Sequence, residues 1–273
     1  MKINIYEKIE GANAELIEKI KGYIKKNGHE FSTSNPDLII YVGGDGTFLR
    51  CVDKFHDLVN KTKFVGVKVG HLGYYYDDQF MELDELFDAI NNNDFIEQDF
   101  HLLKGEIVSD KGTDTIYAVN EIRLENPFRT LITDVFVNKT KLETFRGNGL
   151  VVCSPMGSTA YNKSLGGALI DPSVNVMEMT EIAPLSHNIN RVLDSPLVVS
   201  GDSKITISSS LTGVVIGYDF TIYESDTISK ITISSSDCIV KLLRHKSFSY
   251  INKLRQSKTT TNVQSLTRLQ IKY

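Results

Sequence analysis

The stretch from residue 38 to residue 55 constrains this chain more than any other, because it combines a strand, a tight turn and a helix. The apolar, β-branched run Leu38–Val42 predicts a buried strand. Apolar residues then recur at helical spacing, which predicts a helix from Phe48 to about Val59. Glycines let main-chain N–H groups approach a ligand, and the start of a helix attracts anions. We therefore predict a phosphate-binding turn, called here the first glycine turn, made by Gly43, Gly44, Gly46 and Thr47.

Asp45 lies in the middle of this turn and needs a different explanation. A carboxylate is a poor phosphate ligand because like charges repel. It can instead accept a proton as a general base, or hold the Mg²⁺ that accompanies a polyphosphate. The alternative is that Asp45 only caps the following helix.

Composition limits the class of protein. With 41% hydrophobic and 23% charged residues, the 273-residue chain can bury a full core. Its net charge is -4, and its acidic and basic residues are interspersed along the sequence. We expect neither a nucleic-acid surface nor a membrane surface. Cys51, Cys153 and Cys238 lack metal-ligand spacing, which indicates reduced thiols and a cytoplasmic location. Residues 1–6 already have a strand pattern, so we expect no signal peptide.

Residues 1–100 alternate strands with helices, which predicts an α/β domain with a parallel sheet. A helix ends at Asn27-Gly28, a third strand covers Phe64–Val69, and a last helix ends at Asn91–Asn93. Residues 70–73, the second glycine turn, follow the third strand. Ligands of such sheets bind at the carboxyl ends of the strands, where both glycine turns are expected to lie.

Residues 101–250 show short alternating runs that predict an all-β, sandwich-like domain. A glycine-rich excursion between Gly147 and about Ala183 interrupts them, and residues 251–273 are interpreted as a tail, docked on the first domain or mobile. The predicted strands are Glu106–Val108, Ile116–Leu124, Leu131–Val137, Leu142–Phe145, Leu197–Val199, Ile205–Ser209, Val214–Tyr223, Ile228–Ile233 and Ile239–Leu243.

Three blocks in this order resemble the NAD kinase family. They are the Gly-Gly-Asp-Gly-Thr turn at 43–47, the pair Asn120-Glu121, and residues 146–168, which contain Ser-Pro-Met-Gly-Ser-Thr-Ala-Tyr-Asn-Lys-Ser-Leu-Gly-Gly. The first block is shared with phosphofructokinases and with diacylglycerol and sphingosine kinases, whereas the 146–168 block is specific. The resemblance covers residues 37 to 250 and is greatest to the short bacterial form. It implies the two-domain fold of NAD kinases, with NAD in the cleft between the domains.

The resemblance also implies the reaction and the site. ATP, with Mg²⁺ or another divalent cation, would phosphorylate the 2′-hydroxyl of the adenosine ribose of NAD to give NADP. Asp45 would be the catalytic base, and the first glycine turn would hold the donor phosphates. The family is typically a homotetramer whose NAD sites borrow residues from a neighbouring subunit, here Ala183 and the 186–191 region. The implied NAD-binding residues are Asp45, Gly46, Tyr74, Asn120, Glu121, Arg146, Asn148, Ser158, Thr159, Ala160, Tyr161, Asn162, Ser164 and Ala183.

The sequence departs from the family pattern at Asn148, where an aspartate is usual, so this position is expected to bind rather than catalyse. Tyr74 stands where phenylalanine is common, and Asp219 takes the place of a family aspartate of less certain role. No Walker motif or strand-linked G-x-G-x-x-G is present. Two other functions stay open: a kinase of the same superfamily acting on a lipid or small alcohol, and a sensor that binds NAD(P) without turnover.

Overall fold

The computed structural model describes residues 1–70, 73–77, 80, 82–186, 191–223, 225 and 227–257. His71, residues 187–190 and the predicted tail from 258 onward lie outside the described residues. The chain forms two compact units, one made of Met1–Gln98 with the chain from Lys241, and one made of Asp99–Val240. The domain limits predicted at residues 100 and 250 stay predictions. In the described part of the chain no helix is both long and apolar enough to cross a membrane.

The first unit alternates strands and helices as predicted. Its elements are β1 (Lys2–Glu7), α1 (Ala14–Lys26), β2 (Glu30–Phe31), β3 (Leu38–Gly43), α2 (Asp45–Lys54), a 3-10 turn at His56–Leu58, β4 (Lys63–Lys68) and α3 (Leu83–Asn92). Residues 250–257 are also helical. The strands run parallel in the order β2-β1-β3-β4. β3 is buried from Leu38 to Val42 because helices pack on the faces of the parallel sheet; Leu38, Ile40 and Val42 share a buried cluster with side chains of α1 and α3.

Helix ends in this unit follow local chemistry. α1 turns Ile20 and Ile24 inward and ends at Lys26, with Asn27 as the C-cap residue and Gly28 after it at φ +70°. α3 ends at Asn93, which adopts the left-handed conformation with φ +50°. The helix was predicted from Phe48 to Val59. The observed helix α2 begins earlier, at Asp45, and ends earlier, because a 3-10 turn replaces the last part of the predicted helix.

The second unit is rich in β-strands, as predicted. It contains β5 (Phe95–Ser109), β6 (Gly112–Ala118), β7 (Glu121–Glu125), β8 (Leu131–Val137), β9 (Thr140–Gly147), β10 (Gly149–Cys153), a 3-10 turn at Met156–Thr159, α4 (Tyr161–Ser164), β11 (Val176–Ile182), β12 (Leu197–Ser200), β13 (Lys204–Thr212), β14 (Val215–Tyr218), β15 (Thr221–Tyr223) and β16 (Thr227–His245). β5 and β16 each continue into the first unit.

Two groups of strands enclose the core of this unit. One group has the order β16-β13-β8-β9, with β5 paired to β6 and β16, and the other is the antiparallel sheet β12-β11-β10-β7-β14-β15. Side chains from both groups share one buried cluster, including Val135 and Phe145 from the first and Val152 and Met179 from the second. This is a sandwich arrangement.

Several predicted strand limits were wrong. The run 116–124 is two strands with a break at residues 119–120, and the run 214–223 is likewise divided, by a turn at 219–220. β16 joins two predicted strands into one. The segment between 147 and 183 was predicted to interrupt the strands, but it contains β10 and β11. The apolar stretches of this segment form strands that pair antiparallel with each other in the sheet interior. Periodicity cannot reveal a break held by distant side chains, and the glycines at 147 and 149 obscured β10.

Two buried glutamates approach each other from the two sheets. Glu143 and Glu181 are 9% and 8% exposed. Their Oε2 atoms accept the N–H groups of Leu193 at 2.9 Å and Asp194 at 2.7 Å. The Oε1 atoms of both glutamates are buried without a hydrogen-bond partner among the described residues. Burial, with the Glu143 charge adding to it, raises the pKa of Glu181 from 4.5 to about 7. Glu181 therefore binds a proton more tightly than an exposed glutamate does.

We expect Glu181→Gln to stabilise the protein at pH 8 but not at pH 5. A folded-state pKa above the unfolded value means that the folded state holds the proton more tightly, so stability falls as pH rises from 4.5 to about 7. Glutamine stays neutral, so above pH 7 the variant avoids the loss of roughly 1–3 kcal/mol in the free energy of unfolding that ionisation of Glu181 causes. Thermal melts from pH 5 to 8 measure the effect, with exposed Glu10→Gln as the control. Equal changes in stability at both pH values would contradict the raised pKa of Glu181.

Candidate active site

The first glycine turn joins β3 directly to α2. Gly43 ends the strand at φ +149°, and a Cβ there would overlap the Thr47 side chain, so only glycine fits. Gly44 precedes the first helical residue, and α2 has no side-chain cap. The alternative in which Asp45 caps the helix is therefore not the arrangement observed.

Asp45 is instead held by the residues that follow the second glycine turn. Its Oδ2 accepts the N–H of Tyr74 at 3.0 Å, and its Oδ1 accepts the N–H of Tyr75 at 3.2 Å. A Cβ on Gly73 would overlap the carboxylate, so this close approach requires glycine. The first glycine turn and residues 73–75 thus meet around one carboxylate.

Opposing effects set the proton affinity of Asp45. Burial raises its pKa, whereas the two N–H groups and the cations Lys253 and Arg244 lower it. Because the hydrogen bonds occupy one side of each oxygen, the carboxylate keeps lone pairs that can accept a proton.

The turn beside Asp45 is open to a ligand. A Cβ placed on Gly44 or Gly46 would meet no atom within 4 Å. The Tyr76 hydroxyl donates to the Gly44 carbonyl at 2.7 Å and fixes the orientation of that peptide group. The first N–H groups of a helix have no partner within the helix and point toward its start. The Thr47 side chain is buried against Gly43, and its contact with the donor phosphates stays a prediction.

Asn120 and Glu121 lie at the break between β6 and β7 in the second unit. Asp219 sits at φ +46° and accepts the N–H groups of Val119 at 2.8 Å and Asn120 at 2.7 Å. Ser154 holds the other side of the break, donating from Oγ to the Val119 carbonyl at 2.6 Å and from its N–H to the Asn120 carbonyl at 2.9 Å. At this break the N–H groups of residues 119 and 120 are therefore held by Asp219, and their carbonyl groups are held by Ser154.

A row of alternating charges follows the break. Arg123 contacts Glu121 at 3.4 Å and Glu125 at 3.2 Å, and the Tyr161 hydroxyl donates to Glu125 at 3.2 Å. Burial, assisted by the Asp219 charge, raises the pKa of Glu121 to about 7, against the lowering effect of Arg123. Glu121 and Tyr161, which the sequence predicted separately, thus belong to one polar network.

The predicted ligands in the 146–168 block have different surroundings. Ser158 and Asn162 are 0% exposed: the Ser158 hydroxyl donates to the Pro155 carbonyl at 2.7 Å, and the Asn162 amide donates to Glu178 at 2.7 Å. Both shape the loop in this structure, and their contact with NAD stays a prediction. Thr159 and Ala160 are partly exposed, and Ser164 is exposed.

Arg146, Asn148 and Ala183 come together at the ends of β9 and β11. The Asn148 N–H donates to the Ile182 carbonyl at 2.9 Å, and the Arg146 carbonyl accepts the Leu185 N–H at 2.7 Å. Asn148 and Ala183 are exposed, and Ala183 adopts φ +45°. The Arg146 Nε is buried without a hydrogen-bond partner among the described residues.

Comparison with known proteins decides the family. Residues 4–95 match the ATP-NAD kinase N-terminal domain and residues 120–241 match the ATP-NAD kinase C-terminal domain. The NAD kinase of Leuconostoc mesenteroides is 31% identical over 258 residues, covering 94% of this chain and 98% of that protein. The NAD kinase of Lactobacillus acidophilus is 36% identical over 208 residues, covering 76% of this chain and 78% of that protein. The chain belongs to the NAD kinase family.

Solved structures agree on the fold of this NAD kinase family member. Yeast NADH kinase complexed with NADH has a TM-score of 0.82 at 18% identity, covering 95% of this chain and 87% of that one. An Archaeoglobus fulgidus NAD kinase in complex with ATP has a TM-score of 0.75 at 23% identity, covering 93% and 99%. At these identities the likeness concerns the fold alone.

Within this NAD kinase fold, the sequence did not reveal the roles of residues that act through others. Gly73, Tyr76 and Arg244 organise the Asp45 region, and Gly157 packs on the Asn120 main chain. Asp219 was noticed but without a role. In the sequence, Gly73 and Gly157 stand out only as glycines without an assigned role, and Arg244 stands out only as a charged residue at the end of an apolar strand.

Proposed function

We propose that this chain transfers the γ-phosphoryl group of ATP to the 2′-hydroxyl of the adenosine ribose of NAD, giving NADP, with Asp45 as the general base. ATP-dependent phosphorylation of NAD is the reaction of the family to which the chain belongs. The observation that supports Asp45 most directly is its geometry, a carboxylate held by two N–H groups inside an open glycine turn.

The base is needed because a ribose hydroxyl is a poor nucleophile at neutral pH. Asp45 would accept the proton of the 2′-hydroxyl as the new P–O bond forms. Its hydrogen bonds to Tyr74 and Tyr75 fix the carboxylate in one orientation, so no reorganisation is required when the substrate arrives. The charge that remains on the ionised carboxylate is balanced by Lys253 and Arg244.

The first glycine turn would hold the donor phosphates through main-chain N–H groups at the start of α2. Mg²⁺ or another divalent cation would accompany ATP and neutralise charge on the phosphates. Among the described residues no group of three or more His, Cys, Asp or Glu side chains comes together. Phosphate oxygens and water would supply most of the ligands of such a cation, as is usual for Mg²⁺.

NAD recognition would depend on the second unit. We propose that Asn120 and Glu121 bind the adenosine part, with Thr159, Ala160, Tyr161 and Ser164 lining the same site. The break that Asp219 and Ser154 hold supports this, because it presents Asn120 outside the regular strand ladder. A homotetramer and a cytoplasmic location are further proposals from the family resemblance and the cysteine pattern.

An end-point assay tests the reaction. Purified protein, NAD, ATP and Mg²⁺ are incubated, and NADP is detected with an NADP-specific dehydrogenase, with reactions lacking ATP or Mg²⁺ as controls. We expect NADP only in the complete mixture. A folded protein that binds NAD but forms no NADP would overturn the kinase proposal in favour of sensing.

A further inference from the structure

Arg244 is a buried cation near Asp45, and its hydrogen bonds give it a more specific role than balancing charge. It lies near the end of β16 and is 2% exposed. Its Nε donates to Gln98 Oε1 at 2.8 Å, its Nη1 lies 3.4 Å from Asp77 Oδ1, and its Nη2 donates to the Tyr74 carbonyl at 2.8 Å. Phe248 covers the guanidinium, with its ring centroid 4.3 Å from Cζ. A buried arginine placed by four contacts has one fixed orientation.

The third of these contacts leads to Asp45. The Tyr74 carbonyl and the Tyr75 N–H belong to the same peptide group, which lies between a guanidinium and a carboxylate. Arg244 donates to the carbonyl oxygen of this peptide group at 2.8 Å, and the N–H of the same group donates to Asp45 Oδ1 at 3.2 Å. A charged donor on the carbonyl polarises a peptide group and strengthens the hydrogen bond that its N–H makes.

Other groups near Asp45 act differently. Lys253 is a second cation that lowers the pKa of Asp45, and the Tyr74 N–H is a second donor. The hydroxyls of Tyr41 and Tyr76 donate to the carbonyls of Tyr75 and Gly44, not to Asp45. Arg244 acts on Asp45 both through its charge and through its hydrogen bond to the peptide group that binds the carboxylate.

We propose that Arg244 is a positioning residue for Asp45, which acts through the single peptide group joining Tyr74 to Tyr75. It orients that N–H toward the carboxylate and keeps the carboxylate ionised under conditions where burial alone would protonate it. The inference rests on the proposed role of Asp45 as the base.

The first test reads Asp45 directly, without turnover. The ¹³C signal of the Asp45 carboxyl group, assigned by its loss in Asp45→Asn, is titrated in the wild type and in Arg244→Met. We expect the titration midpoint to move to higher pH in the variant. Because this readout needs no reaction, it decides the proposal even if the wild type forms no NADP, so the two failures are distinguishable.

The second test is the pH profile of NADP formation. If Arg244 keeps Asp45 ionised, Arg244→Met should lower kcat by roughly tenfold on the acidic side of the profile and by less than about threefold at pH 9. Arg244→Lys, which keeps the charge, should restore the acidic limb at least in part. A uniform loss at all pH values with an unmoved Asp45 titration would overturn the proposal and leave Arg244 as a purely structural residue.

Removing Arg244 alone leaves Asp77 buried without its ion-pair partner, which can unfold the protein. The double variant Arg244→Met/Asp77→Asn avoids this and is compared with Asp77→Asn, in which the contact to Tyr74 remains. We expect the acidic limb to move to higher pH only in the double variant. The same movement in both would contradict the proposal, because it would trace the effect to the loss of the ion pair.

Discussion

Replacing Asp45 with asparagine is expected to lower kcat for NADP formation by about 10²–10⁴-fold, the usual effect of losing a general base. Asparagine is neutral and accepts no proton from the ribose hydroxyl. It also has one oxygen for the two N–H groups of Tyr74 and Tyr75, so one of these donors loses its acceptor. The affinity for NAD should change by only a few-fold, because the amide keeps the shape of the carboxylate. Steady-state kinetics and calorimetry measure the two quantities.

A matched control separates chemistry from folding. Asp53 lies on the same helix, α2, but is exposed, so Asp53→Asn makes the same chemical change away from the turn. We expect wild-type kcat from Asp53→Asn. Thermal melts of Asp45→Asn report the cost of the lost hydrogen bond, about 1–3 kcal/mol. Undiminished turnover in a folded Asp45→Asn protein would remove Asp45 from the role of base.

Gly157→Ala is expected to weaken NAD binding at least tenfold and to lower the free energy of unfolding by about 1–3 kcal/mol. A Cβ at this position would overlap the main chain of Asn120, which cannot move aside as a flexible side chain does. The Gly157 N–H also donates to Ser154 Oγ at 3.2 Å. The break at residues 119–120 would have to shift, and with it the two N–H groups that Asp219 binds.

Calorimetric titration with NAD and thermal melts test this prediction. Gly22→Ala is the control: it lies in α1, where a Cβ meets no atom within 4 Å, and alanine should stabilise the helix by about 0.5–1 kcal/mol. NAD binding should be unchanged in this control. Wild-type affinity and melting temperature in Gly157→Ala would show that NAD recognition does not depend on the position of the Asn120 main chain.

Local patterns in the sequence were enough for several features of the site. The apolar run before Gly43 and the helical spacing after Thr47 predict strand, turn and helix, because these depend on neighbouring residues. The change from alternating helices to short strands predicts the α/β unit and the β-rich unit. The blocks at 43–47, 120–121 and 146–168 indicate the family that the comparisons confirm.

The partners of the site residues could not be predicted, because they come from distant parts of the chain. Asp219 holds the strand break from 99 residues away, and Arg244 contacts the Tyr74 carbonyl from 170 residues away. Periodicity records which face of an element is apolar, but it contains no information on which remote side chain meets a given N–H group. The glycines show the same limit: Gly73 and Gly157 look like ordinary turn residues until the carboxylate of Asp45 and the carbonyl of Asn120 are found against them.

The sequence by itself therefore determined the kind of chemistry, since the residue types in the glycine turn, the Asn-Glu pair and the 146–168 block are sufficient to indicate it. Only the tertiary structure decided how that chemistry is held. Asp45 is fixed by the N–H groups of Tyr74 and Tyr75, and Arg244 donates to the Tyr74 carbonyl of the peptide group that carries the Tyr75 N–H. The main chain of Asn120 is fixed by Asp219. The physical reason is that hydrogen bonds and burial depend on position in space, which packing brings about between residues that the chain keeps far apart.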